Sequence, residues 1–179
     1  MAAFTAVNRV DDFAYIPQQN IGHAMTTFIA QNRGAGKNER IRKGLASGLL
    51  IEIVYSVVLC SVIFCGATQI MRLFTGNEDA EVVSLGSAYL KRIAIMYLLP
   101  GLTNGIQGFF RGIGDLKVTL QSTFMNMLGR VSAVPVMLWV LSVGFSGLAW
   151  ANLAGWIAMM AFEVPLLLRE VRRLRYAVS

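Results

Sequence analysis

The chain has 179 residues, of which 55% are hydrophobic and only 15% charged, with a net charge of +6 and a mean hydropathy of +0.57. Soluble domains carry roughly a quarter charged residues, so this composition argues against a soluble enzyme, a disordered tail or a coiled coil. In so apolar a chain the basic excess fits loops held on one side of a bilayer better than a nucleic-acid partner.

A bilayer core about 30 Å thick needs roughly 20 mostly apolar residues of helix. On that criterion the sequence predicts an all-α, polytopic bundle in one domain over 1–179, with five spans near 2–32, 45–71, 93–111, 118–143 and 147–168. The first is unusually polar, with Gln18, Gln19, Asn20 and His23, and Pro17 should kink it. The second is apolar with one charge, Glu52. A helical lead from Val82 to Arg92 is expected at the surface before the third, which should be broken around Pro100, Gly101, Asn104 and Gly105. The fourth holds Arg130, and the fifth holds Glu163 and Pro165 near its end. The stretch Ser142–Gly147 reads as the turn between these last two. The apolar runs are long and continuous, unlike the short alternating strands of a barrel.

Orientation follows from the basic residues. Eleven of the sixteen fall after the first span (Arg33, Lys37, Arg40, Arg42, Lys43), after the third (Arg111, Lys117) and in the C-terminal tail (Arg169, Arg172, Arg173, Arg175). These regions share one face if the chain alternates sides, and that face should be cytoplasmic. The N-terminus then lies outside, the C-terminus inside, and the expected location is a bacterial inner membrane.

Intramembrane charges are costly and point to function by default. Arg130 should sit roughly 17 Å from the inner edge, deep enough to need a partner or a water-filled cavity. Pairs with Glu52 or Glu163 are the candidates, serving either to lock helices or to transport. Asn8, Asp12, Tyr15, Gln19 and His23 follow helical spacing. That stripe should face protein or water, lining a path or bonding between helices. Asp11 and Asp12 could bind a cation or proton, or form a solvated helix start. Glycines four apart (Gly44/Gly48, Gly101/Gly105, Gly108/Gly112) suit close helix packing.

Little else carries chemistry. Cys60 and Cys65 lie in an apolar stretch and read as packing residues; with one histidine they offer no metal site. Gly34-Ala35-Gly36-Lys37 resembles the end of a phosphate loop but lacks its first glycine and its Ser or Thr. Gly112-Ile113-Gly114 lacks the third glycine of a dinucleotide fingerprint. No catalytic residues are found, so no enzyme is expected.

Three segments carry a family resemblance. Pro17-Gln18-Gln19-Asn20-Ile21-Gly22, the stretch Gln31-Asn32-Arg33-Gly34-Ala35-Gly36-Lys37-Asn38-Glu39-Arg40, and Arg111-Gly112-Ile113-Gly114-Asp115 resemble helix eight, its following loop and the end of helix ten of multidrug and toxic compound extrusion (MATE) transporters. The resemblance implies helices eight to twelve of a twelve-helix, two-lobed exporter. In such a protein Na+ or H+ entry drives release of amphipathic or cationic compounds from a central cavity. It implies no cofactor beyond the coupling ion. The implied partners are the lipid bilayer, a missing first lobe and small amphipathic or cationic substrates, with no nucleic acid. The third span lacks the carboxylate that some branches use for the cation, so the resemblance assigns no ion ligand to this chain. Candidate cavity residues are Gln19, His23, Asn104, Gln107 and Arg130; Glu52, Arg130 and Glu163 are the intramembrane charges. The rival readings are a flippase of lipid-linked precursors and a truncated, non-transporting membrane protein.

Overall fold

A computed structural model describes residues 2–75, 80–136 and 147–176. They form six helices: α1 (Ala2–Gly34), α2 (Asn38–Thr75), α3 (Ala80–Met96), α4 (Leu98–Gly112), α5 (Leu116–Pro135) and α6 (Gly147–Tyr176). The end of the fourth span and all of the expected Ser142–Gly147 turn except Gly147, which begins α6, lie outside the described residues.

Two helices, α2 and α6, are long and apolar enough to cross a membrane, and α3 with α4 qualifies as a third if the bent pair is one span. The polar stripe of α1 lowers its hydropathy. The apolar run of α5 continues into residues that are not described.

The outer faces are built for lipid. Along α2, Leu50, Ile51, Val54, Val57, Val58 and Val62 are all more than half exposed. On α5, Leu120, Phe124, Met127 and Val131 do the same. Water would penalise apolar stripes of this length, whereas hydrocarbon does not.

The turns at one end explain two of the sequence motifs. Gly36 ends α1 with a left-handed φ of +68°, and Gly114 turns the chain between α4 and α5 at +74°. Glycine enters this region without a Cβ clash. Arg33 Nη1 lies 3.6 Å from where a Cβ on Gly114 would be, so the Arg33–Lys37 and Arg111–Asp115 motifs meet at the same end of the bundle.

Helices α1 and α4 approach backbone to backbone. A Cβ on Gly108 would lie 2.4 Å from the Gly22 carbonyl oxygen. The closeness places the Thr26 hydroxyl between two acceptors, the Gly22 carbonyl of its own helix at 2.9 Å and the Gly108 carbonyl across the crossing at 3.1 Å. This is the small-residue packing that membrane helices favour.

Two expectations about the third span need correction. The lead is not at the surface: Val83, Tyr89, Leu90 and Ile93 are buried in an apolar cluster with Ala14 of α1 and Ile63, Ala67 and Met71 of α2. The break lies at Tyr97, where α3 and α4 meet at 41°, while Pro100, Gly101, Asn104 and Gly105 are helical. Pro100 has no N–H for the Met96 carbonyl four residues back, and its ring crowds that carbonyl. The bend therefore appears one turn before the proline. Helix α1, by contrast, continues through Pro17, and the Tyr55 hydroxyl donates to the nearby Ala14 carbonyl at 3.3 Å.

Candidate functional site

The bundle has two apolar cores with a polar layer between them. One core joins Ala14, Ile63 and Tyr97; the other joins Met25, Leu45 and Ile106. Helix α1 passes from the first to the second between Ala14 and Met25. Helix α2 does so between Leu45 and Ile63, and α4 between Tyr97 and Ile106. At the change-over α1 supplies Gln18, α2 supplies Glu52 and Ser56, and α4 supplies Gly101.

Gln18 and Glu52 have no exposed surface and Ser56 almost none. Gln18 Nε2 donates to Ser56 Oγ at 3.1 Å and to the Tyr97 carbonyl at 3.0 Å. Ser56 Oγ donates to the same carbonyl at 3.4 Å. All of this surrounds Gly101: a Cβ there would lie 2.8 Å from Ser56 Oγ, 2.9 Å from Gln18 Nε2 and 3.2 Å from Glu52 Oε2. Gln18 Oε1 and both Glu52 oxygens are buried without a hydrogen-bond partner.

Above this layer the Tyr97 hydroxyl donates to the Asp11 carboxylate. Its ring meets Tyr15 edge-on at a 5.8 Å centroid separation, and Tyr15 continues to Trp156 of α6 at 6.4 Å. Nearer the motif end, Gln107 Nε2 donates to Ser122 Oγ at 3.2 Å, beside the fully buried Glu163. A 360 Å³ cavity lies between α3–α4 and α6, lined by Arg92, Ile95, Met96, Leu99, Trp150 and Leu153.

The expected candidates are scattered among these features. Gln19 and His23 are exposed on α1, and neither side chain bonds to another described residue. Asn104 is half-buried on α4, whose backbone touches α1 at Gly22. Gln107 is turned inward to Ser122. Arg130 pairs with neither glutamate: its guanidinium donates from Nε to Asn152 Oδ1 at 2.8 Å, with a second bond from Nη2. The separation has a geometric cause, since α5 packs its Arg130 face on α6 near Gly155, whereas Glu52 turns toward α1 and α4. Asp12 is exposed; the side chain of Asn8 lies outside the described residues.

Gln18 was missing from the expected set. Its signal was register: Ala14, Gln18, Gly22, Met25 and Ile29 step by four, four, three and four along α1, and all are buried. A glutamine in that apolar stripe must be bonded inside the protein. Trp150 and the cavity it lines were missed as well.

The fold is shared with solved transporters. A MOP superfamily transporter from Pyrococcus furiosus superposes with a TM-score of 0.86 at 18% identity, over 95% of this chain and 37% of that one. An inward-facing multidrug resistance MATE family transporter gives 0.82 at 18% identity, over 90% and 37%. Among curated relatives, the probable multidrug resistance protein YpnP of Bacillus subtilis (strain 168) is 29% identical over 157 residues, which are 87% of this chain and 32% of that protein. The FAD transporter of Shewanella oneidensis is 25% identical over 132 residues, 72% of this chain and 29% of that protein. The chain thus spans about a third of the length of the relatives it matches. The MatE family model matches residues 1–136, and the chain belongs to that family of multi-pass membrane transporters.

Proposed function

We propose that this chain forms most of the second lobe of an exporter that releases amphipathic or cationic compounds by antiport with H+ or Na+. One observation carries the reading. Helix α1 sets Asp12, Gln19 and His23 on exposed positions around Ile16, opposite a face packed against α2 and α4, whereas the exposed positions of α2 from Leu50 to Val58 are all apolar. A polar face of this kind belongs against a water-filled cavity or a second lobe. Asn104, on the touching helix α4, extends it. The rocking of two lobes about that cavity would expose it to each side in turn.

The name of the Bacillus relative, a probable multidrug resistance protein, supports the choice of substrate class. The basic motif end would lie in the cytoplasm of a bacterial inner membrane, with the start of α1 outside. The test is efflux of a fluorescent organic cation from energised cells making the chain joined to a first lobe. Efflux that collapses with the H+ or Na+ gradient is expected, and His23→Ala or Gln19→Ala should change it without changing expression. Dye retention independent of either gradient would reject the proposal.

A further inference from the structure

The polar layer between the two cores has a surplus of acceptors. Both Gln18 N–H groups are engaged by Ser56 Oγ and the Tyr97 carbonyl, and the Ser56 hydroxyl proton is engaged by that carbonyl too. The Gly101 amide also donates to the Tyr97 carbonyl, at 3.3 Å. Every donor in the layer is therefore used. Three buried oxygens remain with none: Gln18 Oε1, Glu52 Oε1 and Glu52 Oε2. An unpaired carboxylate sealed between apolar clusters is too costly to persist empty-handed.

Among the described residues, no ion pair reaches Glu52. Helix α1 presents Gln18, and α4 presents Gly101 and Gly105. The carboxylate of Asp11, also on α1, is engaged by the Tyr97 hydroxyl. On α3, Lys91 lies over the Phe64 ring at 5.8 Å. On α6, Glu163 sits in the separate Gln107–Ser122 cluster. On α2 itself the titratable neighbour is Tyr55, which is uncharged and directed at the Ala14 carbonyl. What the layer lacks is one small positive charge.

We propose that Glu52, Gln18 and Ser56, gathered over Gly101 at the α3–α4 bend, form a binding site for a single small monovalent cation, H+ or Na+, held at Glu52. A proton would convert Glu52 to a donor. A sodium ion would gather the three unpaired oxygens and Ser56 Oγ, the oxygen-only set that hard cations take. Gly101 is the residue that makes room. Helix α4 itself carries no carboxylate, and α2 brings one to the bend instead. As the coupling site of the exporter this rests on the antiport reading; the binding itself does not.

The test is infrared spectroscopy of the purified chain in lipid nanodiscs, with the Glu52→Gln spectrum subtracted to isolate the Glu52 carboxyl. The site expects a Glu52 band that changes between its protonated and ionised forms with pH in choline chloride, for a proton site. For a sodium site the band also shifts when NaCl replaces choline chloride at fixed pH. A second variant guards against misfolding of the first. In Gly101→Ala the added methyl meets Ser56 Oγ, Gln18 Nε2 and Glu52 Oε2, all side-chain atoms that can rotate aside where backbone could not, so the chain is expected to fold with a disturbed site. Its transition midpoint should shift about tenfold in H+ or Na+ concentration, the scale seen when groups supporting a bound ion are disturbed. A Glu52 band indifferent to both pH and sodium, or a Gly101→Ala midpoint equal to wild type, overturns the site. Ion-responsive Glu52 without gradient-driven efflux would keep the site and reject the antiport reading; efflux with a silent Glu52 would do the reverse.

Discussion

Glu52 and Arg130 look alike as sequence: each is a lone charge in a long apolar run. In the fold they are opposites. Glu52 is sealed among three helices with no hydrogen-bond partner. Arg130 is exposed and doubly bonded to a neutral amide. The difference lies in the helix face. Glu52 shares its face with Leu45, Ser56 and Ile63, all buried against α1, α3 and α4. Arg130 follows Gly129 on the side of α5 that crosses α6, where its aliphatic stem lies 2.5 Å from the place a Cβ on Gly155 would take. The stem packs on glycine, and the charged end is free to reach outward. A close glycine crossing alone does not bury a charge: Arg130 sits at the Gly129–Gly155 approach and stays exposed, whereas Glu52 is buried because its face turns inward to several helices at once.

The largest predicted effect attacks the close approach of α1 and α4. Gly108→Ala puts a methyl against the Gly22 backbone carbonyl, and backbone cannot swing aside. We expect a loss of about 3 kcal/mol, the upper range for overpacking a core, read as a lower midpoint in detergent unfolding. The corresponding change in the α5–α6 hairpin, Gly129→Ala, meets Ala158 Cβ and Gly155 Cα at 3.0 Å and should cost about half as much. Equal losses would mean that the two crossings are equally tight, and the contrast between the regions would fail.

The polar layer is the next target. Gln18→Leu removes the amide that joins Ser56 to the Tyr97 carbonyl. Ser56 keeps its own bond to that carbonyl, so the loss should be about 2 kcal/mol, within the range for stranding a buried partner. Tyr97→Phe should cost about 1 kcal/mol by taking the hydroxyl from Asp11. Both are measured by the same unfolding curves. A stabilised Gln18→Leu variant would indicate that the layer is not held together by this amide.

Much of this architecture was legible before any coordinates. Glycines four apart marked the tight crossings, and Gly44, Gly48, Gly101 and Gly108 do sit where a Cβ would meet another helix. Burial of Glu52 and Glu163 could be expected from the cost of a charge in lipid. Gln18 is readable from its step along the buried stripe of α1, although the stripe through Gln19 and His23 carries the stronger polar signal. The bend at Tyr97 was also readable, because proline disturbs the carbonyl four residues earlier, at Met96, rather than the proline position itself. The Arg130–Asn152 pair was not readable. It depends on the register of α5 against α6, and charge rules favour a carboxylate partner over an asparagine.

That pair gives the smallest prediction. Asn152→Ala removes the acceptor of both guanidinium bonds, yet Arg130 is exposed and can turn to water, a headgroup or a facing lobe. Hydrogen bonds between membrane helices average only about 0.6 kcal/mol, because the separated helices also find partners. The unfolding midpoint should therefore move by no more than that, several-fold less than for Gln18→Leu. A loss as large as that of Gln18→Leu would place Arg130 in a dry environment and make the α5–α6 hairpin a second sealed polar site, erasing the distinction between the two charges. A small loss with altered efflux in the two-lobed protein would place Arg130 on the cavity side, where its free surface meets substrate.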